Sequence, residues 1–129
     1  MKAQAQVAMT VATDDDLKDI LWKYTDEALN TIIRTDLTTH SAGVARLAST
    51  DLANHTVPFG DVAVGALLFI STDVEVTVLL NAGAEAITIK PSGSYRGMLF
   101  LHGEFTSAII TKPTTGTANV RYCVVGEEA

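Results

Sequence analysis

The chain has 129 residues, of which 47% are hydrophobic and 6% aromatic, and its net charge is −6. That length predicts one domain, or one domain with an appendage, and a core of Val, Ile, Leu and Ala suits sheet layers better than a pocket for a planar cofactor. Nine scattered basic residues argue against nucleic acid and anionic membrane surfaces as partners, and no apolar run approaches the ~20 residues that span a bilayer.

Residues 1–12 carry no charge after Lys2, and Val7, Met9 and Val11 alternate. This segment reads either as a short strand or as an arm that orders against a partner subunit. No apolar run follows Met1 and Lys2 as it would in a secretory leader, which predicts a protein made in the cytoplasm that stays soluble. Thr13 to Asp16 has the chemistry of a helix start: Thr13 as N-cap, Asp16 near the acid of a capping box, and three aspartates at the positive end of the dipole. A calcium loop needs acids at alternate positions, a glycine and a distal glutamate, and this stretch has none of that spacing. Leu17, Ile20, Leu21, Tyr24, Ala28 and Ile32 then fall on one helical stripe, with Trp22 off it as a rim residue or a subunit anchor. Beyond Tyr24 the helical pattern weakens, and Ile32 to Thr35 reads equally as a first strand. Thr38 to Gly43 reads as a loop.

From Val44 the grammar is strand and turn. Val44–Ala48 is a short strand, followed by polar connectors at 49–51 and 54–56 and a proline-bearing turn or edge at 57–60. Val62–Ile70 is the longest apolar run. In 74–80 the side chains alternate: Val74, Val76, Val78 and Leu80 take one side, and Glu75 and Thr77 the other. Asn81 to Ala84 is a turn in which Asn and Gly supply positive φ. Further strands fall at 87–90, 95–101, 105–112 and 119–125, and 126–129 reads as a polar tail. About seven strands at regular spacing predict a mainly β chain, an antiparallel β-sandwich or jelly roll with an N-terminal helix and arm. Residues 1–42 are then the assembly element and 43–129 the β domain.

Chemistry is sparse. His40, His55 and His102 have no zinc-ligand spacing, and Cys123 alone can form no internal disulfide and complete no zinc site. Only Arg121 is a basic neighbour of that thiol in sequence. Gly93 and Gly97 lie between strands, without the helix N-terminus that a phosphate loop needs. Glu75, Glu85 and Glu104 are the carboxylates that a fold could pair as in glycoside hydrolysis, but each reads as a solvent-facing or edge charge. No catalytic, cofactor-binding or metal-ligating residue is assigned, and the chain is read as no enzyme, with no cofactor. An amphipathic helix this short must dock to be stable, which makes Val7, Val11, Leu17, Ile20, Leu21, Trp22 and Tyr24 the candidate assembly interface. A carbohydrate-binding module is the competing reading, with Trp22, Tyr24, Tyr95 and Tyr122 as stacking candidates.

The segments STDVEVTVLLN, AITIKPSG, MLFLHGEFTSAIITKP and TANVRYCVVG, all within Val57–Gly126, resemble the small sandwich modules of tailed-bacteriophage virion proteins: capsid decoration and cement proteins, tail-associated proteins and head fibres. The resemblance implies a non-enzymatic structural role on the virion and a homo-oligomer, with a trimer favoured. It also implies capsid proteins as partners, or alternatively those of the tail or baseplate. It transfers no functional residues.

Overall fold

The computed structural model describes residues 1–6, 8–16, 18, 20–23, 31–51, 54–83, 86–111, 113 and 115–128. Among these residues there are twelve strands, every pairing is antiparallel, and there is no helix. The chain divides into two units, Met1–Leu37 and Thr38–Ala129.

The first unit corrects the expected N-terminal helix. β1 (Ala3–Gln6) pairs with β4 (Thr31–Arg34), and β2 (Thr10–Ala12) pairs with β3 (Ile20–Lys23). Ile20 and Leu21, read on a helical stripe, and Trp22, read off it, are consecutive strand residues. β-Branched and aromatic types favour the extended backbone, and a partner strand supplies the hydrogen bonds that an isolated short helix could hardly sustain. The aspartate run forms a turn: both carboxylate oxygens of Asp14 accept the Lys18 N–H, at 3.0 and 3.1 Å. A short acidic side chain closing on a nearby backbone donor in this way competes with helix propagation. After β4, Arg34 grips Asp36 with Nε and Nη2 at 2.8 and 2.6 Å. Led by this side-chain hydrogen bond, the arrangement lowers the Asp36 pKa to about 2.

The second unit holds eight strands. They are β5 (Thr39–Ala48), β6 (His55–Thr56), β7 (Val62–Thr72), β8 (Val76–Leu80), β9 (Ala86–Ile89), β10 (Gly97–Phe105), β11 (Ala108–Thr111) and β12 (Thr117–Glu128). One sheet runs β10-β7-β12-β5 and the other β6-β11-β8-β9. The count exceeds the expected seven because two-residue β6, read as a connector, pairs with β11 at Ile109 and Ile110. Several boundaries also move: β10, expected over 95–101, runs from Gly97 through His102 and Gly103 to Phe105, and β11, expected from 105, begins at Ala108. Thr39–Gly43, read as loop, is the first half of β5, where small and polar side chains disguise a paired strand. Gly126 to Glu128, read as tail, continues β12 against β7. Glycine is required there, since a Cβ on Gly126 would lie 2.0 Å from the Val64 carbonyl oxygen.

One apolar cluster joins the two sheets. Ala45, Leu47, Leu68, Ile70, Val120 and Val124 come from the first, and Val76, Val78, Ile89, Ala108 and Ile110 from the second. Val76 and Val78 are buried while Glu75 is exposed, as the alternation requires. Burial of each such side chain stabilises the fold by about 1.5–3 kcal/mol before entropy is counted.

Candidate assembly surface

The first sheet has a second apolar face. Leu68, Ile70, Thr72, Val120 and Val124 are buried in or beside the core, so their strand neighbours point the other way. The register sets these out in three rows across the sheet: Met98, Ser71, Arg121 and Val44; then Phe100, Phe69, Cys123 and Ala42; then His102, Leu67, Val125 and His40. Met98 is 69% exposed, Val44 64% and Phe69 37%. The middle row is apolar across four strands. Desolvation pushes the Cys123 thiol pKa up, which keeps it a neutral, weakly polar member of that row.

A polar clamp fixes one end of this face. Arg96 donates from Nε to Ser71 Oγ at 2.7 Å, and from Nη2 to the Ser71 and Asn119 carbonyls at 3.1 and 2.8 Å. Asp73 accepts the Asn119 backbone N–H at 2.7 Å and its Nδ2 at 3.0 Å. Desolvation opposes ionisation of Asp73, but the two hydrogen bonds from Asn119, with help from Arg96, outweigh it and hold the carboxyl below its usual pKa. The guanidinium thus ties β7 to β12 at the exit of the central strand.

The residues singled out in the sequence are dispersed. Val7, Leu17 and Tyr24 lie outside the described residues, as does Glu85. Val11 is exposed on β2 and pairs with Trp22, and Ile20 pairs with Ala12, so these members of the expected interface share a two-stranded sheet and not a helix stripe. His40 and His102 do fall in one row, but three strand spacings separate them, roughly 14 Å, too far to share a metal ion. His55 sits in the other sheet, and its Nε2 is buried without a hydrogen-bond partner. Among the described residues no three His, Cys, Asp or Glu side chains converge on a metal site. Glu75 lines an open groove of about 460 Å³ with Val74, Val76, Thr77, Thr111, Pro113 and Thr115, which supply hydroxyls but no general base or nucleophile pair. Tyr95 is 79% exposed in a turn, whereas Tyr122 packs on the core, so they form no shared stacking platform.

Sequence reasoning missed the outer face itself, namely Val44, Phe69, Met98 and Phe100. A signal for it was present. Val62–Ile70 and Met98–Leu101 are continuous apolar runs where a half-buried strand would alternate, so both faces of β7 and β10 are apolar. Compared with protein-family models, with curated proteins and with solved structures, the chain finds no match.

Proposed function

We propose that this chain is a non-enzymatic structural protein of a tailed-phage virion, a decoration or cement protein that self-associates and docks on the capsid shell. Its second unit is read as a jelly roll. Numbered within that unit, one sheet takes the first, eighth, third and sixth strands and the other the second, seventh, fourth and fifth. That order is the path of a long antiparallel ribbon rolled into two facing sheets. The observation that carries the docking role is the apolar outer face. From strand spacing and rise its rows cover roughly 350–400 Å². The apolar part of that area is the middle row with the exposed Met98 and Val44 beside it, rimmed by Arg121, His40 and His102, and exposed apolar side chains gathered on one sheet face with a polar rim are the mark of a binding surface. The likeness of Val57–Gly126 to virion modules supplies the partner, the shell protein.

The test is capsid binding by the purified protein and by Phe69→Ser and Met98→Glu. Both side chains are exposed, so both variants should fold. The expected result is co-sedimentation of the wild type with phage heads and at least ~10-fold weaker binding by each variant. Binding to tails alone would move the protein to the tail. Undiminished head binding by both variants would show that this face is not the contact.

A further inference from the structure

We infer that the outer edge of β5 is a self-pairing site, through which two copies join antiparallel strands about a twofold axis. This specifies the self-association in the reading above and stands without the shell.

The argument starts from hydrogen-bond parity. Ser49 N–H donates to the Gly116 carbonyl at 2.9 Å, just beyond the last strand pair. The register between β5 and β12 is unbroken from Thr39 to Ala48. Odd-numbered residues of β5 therefore exchange hydrogen bonds with β12, and even-numbered ones aim N–H and C=O at the opposite edge. Ala48 confirms the parity, because both of its outward groups are taken by Asp51: the carboxylate accepts Ala48 N–H at 2.9 Å, and Asp51 N–H reaches the Ala48 carbonyl at 3.0 Å. For His40, Ala42, Val44 and Arg46, no strand among the described residues lies on that side, and all four are exposed.

The other three edges of the two four-stranded sheets are blunted against pairing. β10 is broken by a register shift between His102 and Phe105. β6 has two residues and runs into Pro58, and β9 has four and runs into Lys90 and Pro91. Bulges, prolines, lysines and short length are the usual protections of an exposed edge. β5 has ten residues, no proline, no lysine and no bulge, with Arg46 its one charged residue.

The partner must be an equally long, unbroken strand with a bare edge, and among the described residues β5 itself meets that description. Antiparallel twofold pairing sets His40 opposite Arg46 of a second copy and Ala42 opposite Val44. Gly43 meets its own mate at the axis, so that pair brings no side chain of its own, and the Tyr122 hydroxyl of each copy covers the place a Gly43 Cβ would take. The four pairs make about eight inter-chain N–H···O=C bonds. A standard protein interface has about ten hydrogen bonds. The result is a dimer with one continuous sheet, in place of the threefold assembly implied by the virion resemblance.

Sedimentation equilibrium of the full chain from ~10 μM to ~1 mM tests this, with Ala42→Pro as the edge variant and Phe69→Ser as the face variant. Proline at residue 42 removes an N–H that β12 does not use. The expected result is a monomer–dimer equilibrium that Ala42→Pro weakens at least ~10-fold and Phe69→Ser leaves within ~3-fold. Amide exchange on the wild type decides the matter even where the proline variant misfolds: the Ala42 and Val44 amides should slow as concentration rises. A trimer, a monomer throughout, a dimer lost only in the face variant, or concentration-independent exchange at these amides would each overturn the edge pairing. The face variant keeps the two readings separable, because shell docking can fail while the dimer persists.

Discussion

Asp73 shows how one side chain ties stability to pH in this fold. Its carboxylate receives two donors from Asn119, and Asn119 in turn offers its carbonyl to Arg96. The folded state thus holds Asp73 below its ordinary pKa. The sign follows: the unfolded chain takes up this proton first as pH falls, so the contribution is complete above the unfolded value of about 3.9 and is lost as pH drops through the folded one. The carboxylate is largely exposed, so solvent screening limits its worth to about 1 kcal/mol or less. Asp73→Asn should lower the unfolding free energy read from urea denaturation at pH 7 by that amount and bring wild type and variant together once the pH is below the folded pKa. An equal gap at both pH values would mean that the carboxylate charge is not the source.

At the scale of elements, the connection from β8 to β9 leaves a correctable strain. Asn81 and the non-glycine Ala82 both take positive φ, at 55° and 53°. The sequence pointed to Asn81 and Gly83 for that geometry, and the structure assigns it to Asn81 and Ala82. Asn81 has a reason to be there, since its Oδ1 accepts Thr106 N–H at 2.7 Å. Ala82 has no such compensation in its methyl side chain, so Ala82→Gly should stabilise the protein by about 0.5–1 kcal/mol, a net of relieved left-handed strain and added unfolded-state entropy. Thermal unfolding at fixed pH measures it, and a lower midpoint would refute the strain. The same hairpin shows what the sequence made legible. Val76 and Val78 alternated with polar neighbours because one side of β8 meets the core, and a period of two is easy to read. β5 was half hidden, because Thr39 to Gly43 pair through their backbones while their side chains stay small. The N-terminal helix failed for the opposite reason: apolar residues three and four apart also occur in two strands joined by a turn, and the pairing of β2 with β3 decided between them. The outer face was obscured because an apolar run reads as buried on both sides, whichever side a partner covers.

For the whole molecule, the division at Leu37 and Thr38 permits a direct test of which unit carries which contact. Every residue of the shared apolar cluster, from Ala45 to Val124, belongs to the second unit, as do the side chains packed against it, from Phe59 to Tyr122. Removal of residues 1–37 therefore leaves that cluster complete and takes away one buried apolar side chain outside it, Leu37. The fragment 38–129 should unfold in one cooperative transition, with its midpoint within a few degrees of the full chain. Calorimetry checks this, and a broad, non-cooperative transition would show that the first unit is needed to close the core. The fragment also retains the β5 edge and the outer face, so on the present reading it should dimerise as the full chain does. Its binding to phage heads then apportions the docking contact. Retained binding assigns the shell contact to the sheet face of Phe69 and Met98. Lost binding by a folded, dimeric fragment assigns part of it to the first unit, where Val11 and Trp22 stand opposite each other across β2 and β3. The two assembly functions would then reside in different parts of the chain, self-pairing at the edge of one sheet and shell attachment requiring the amino-terminal strands.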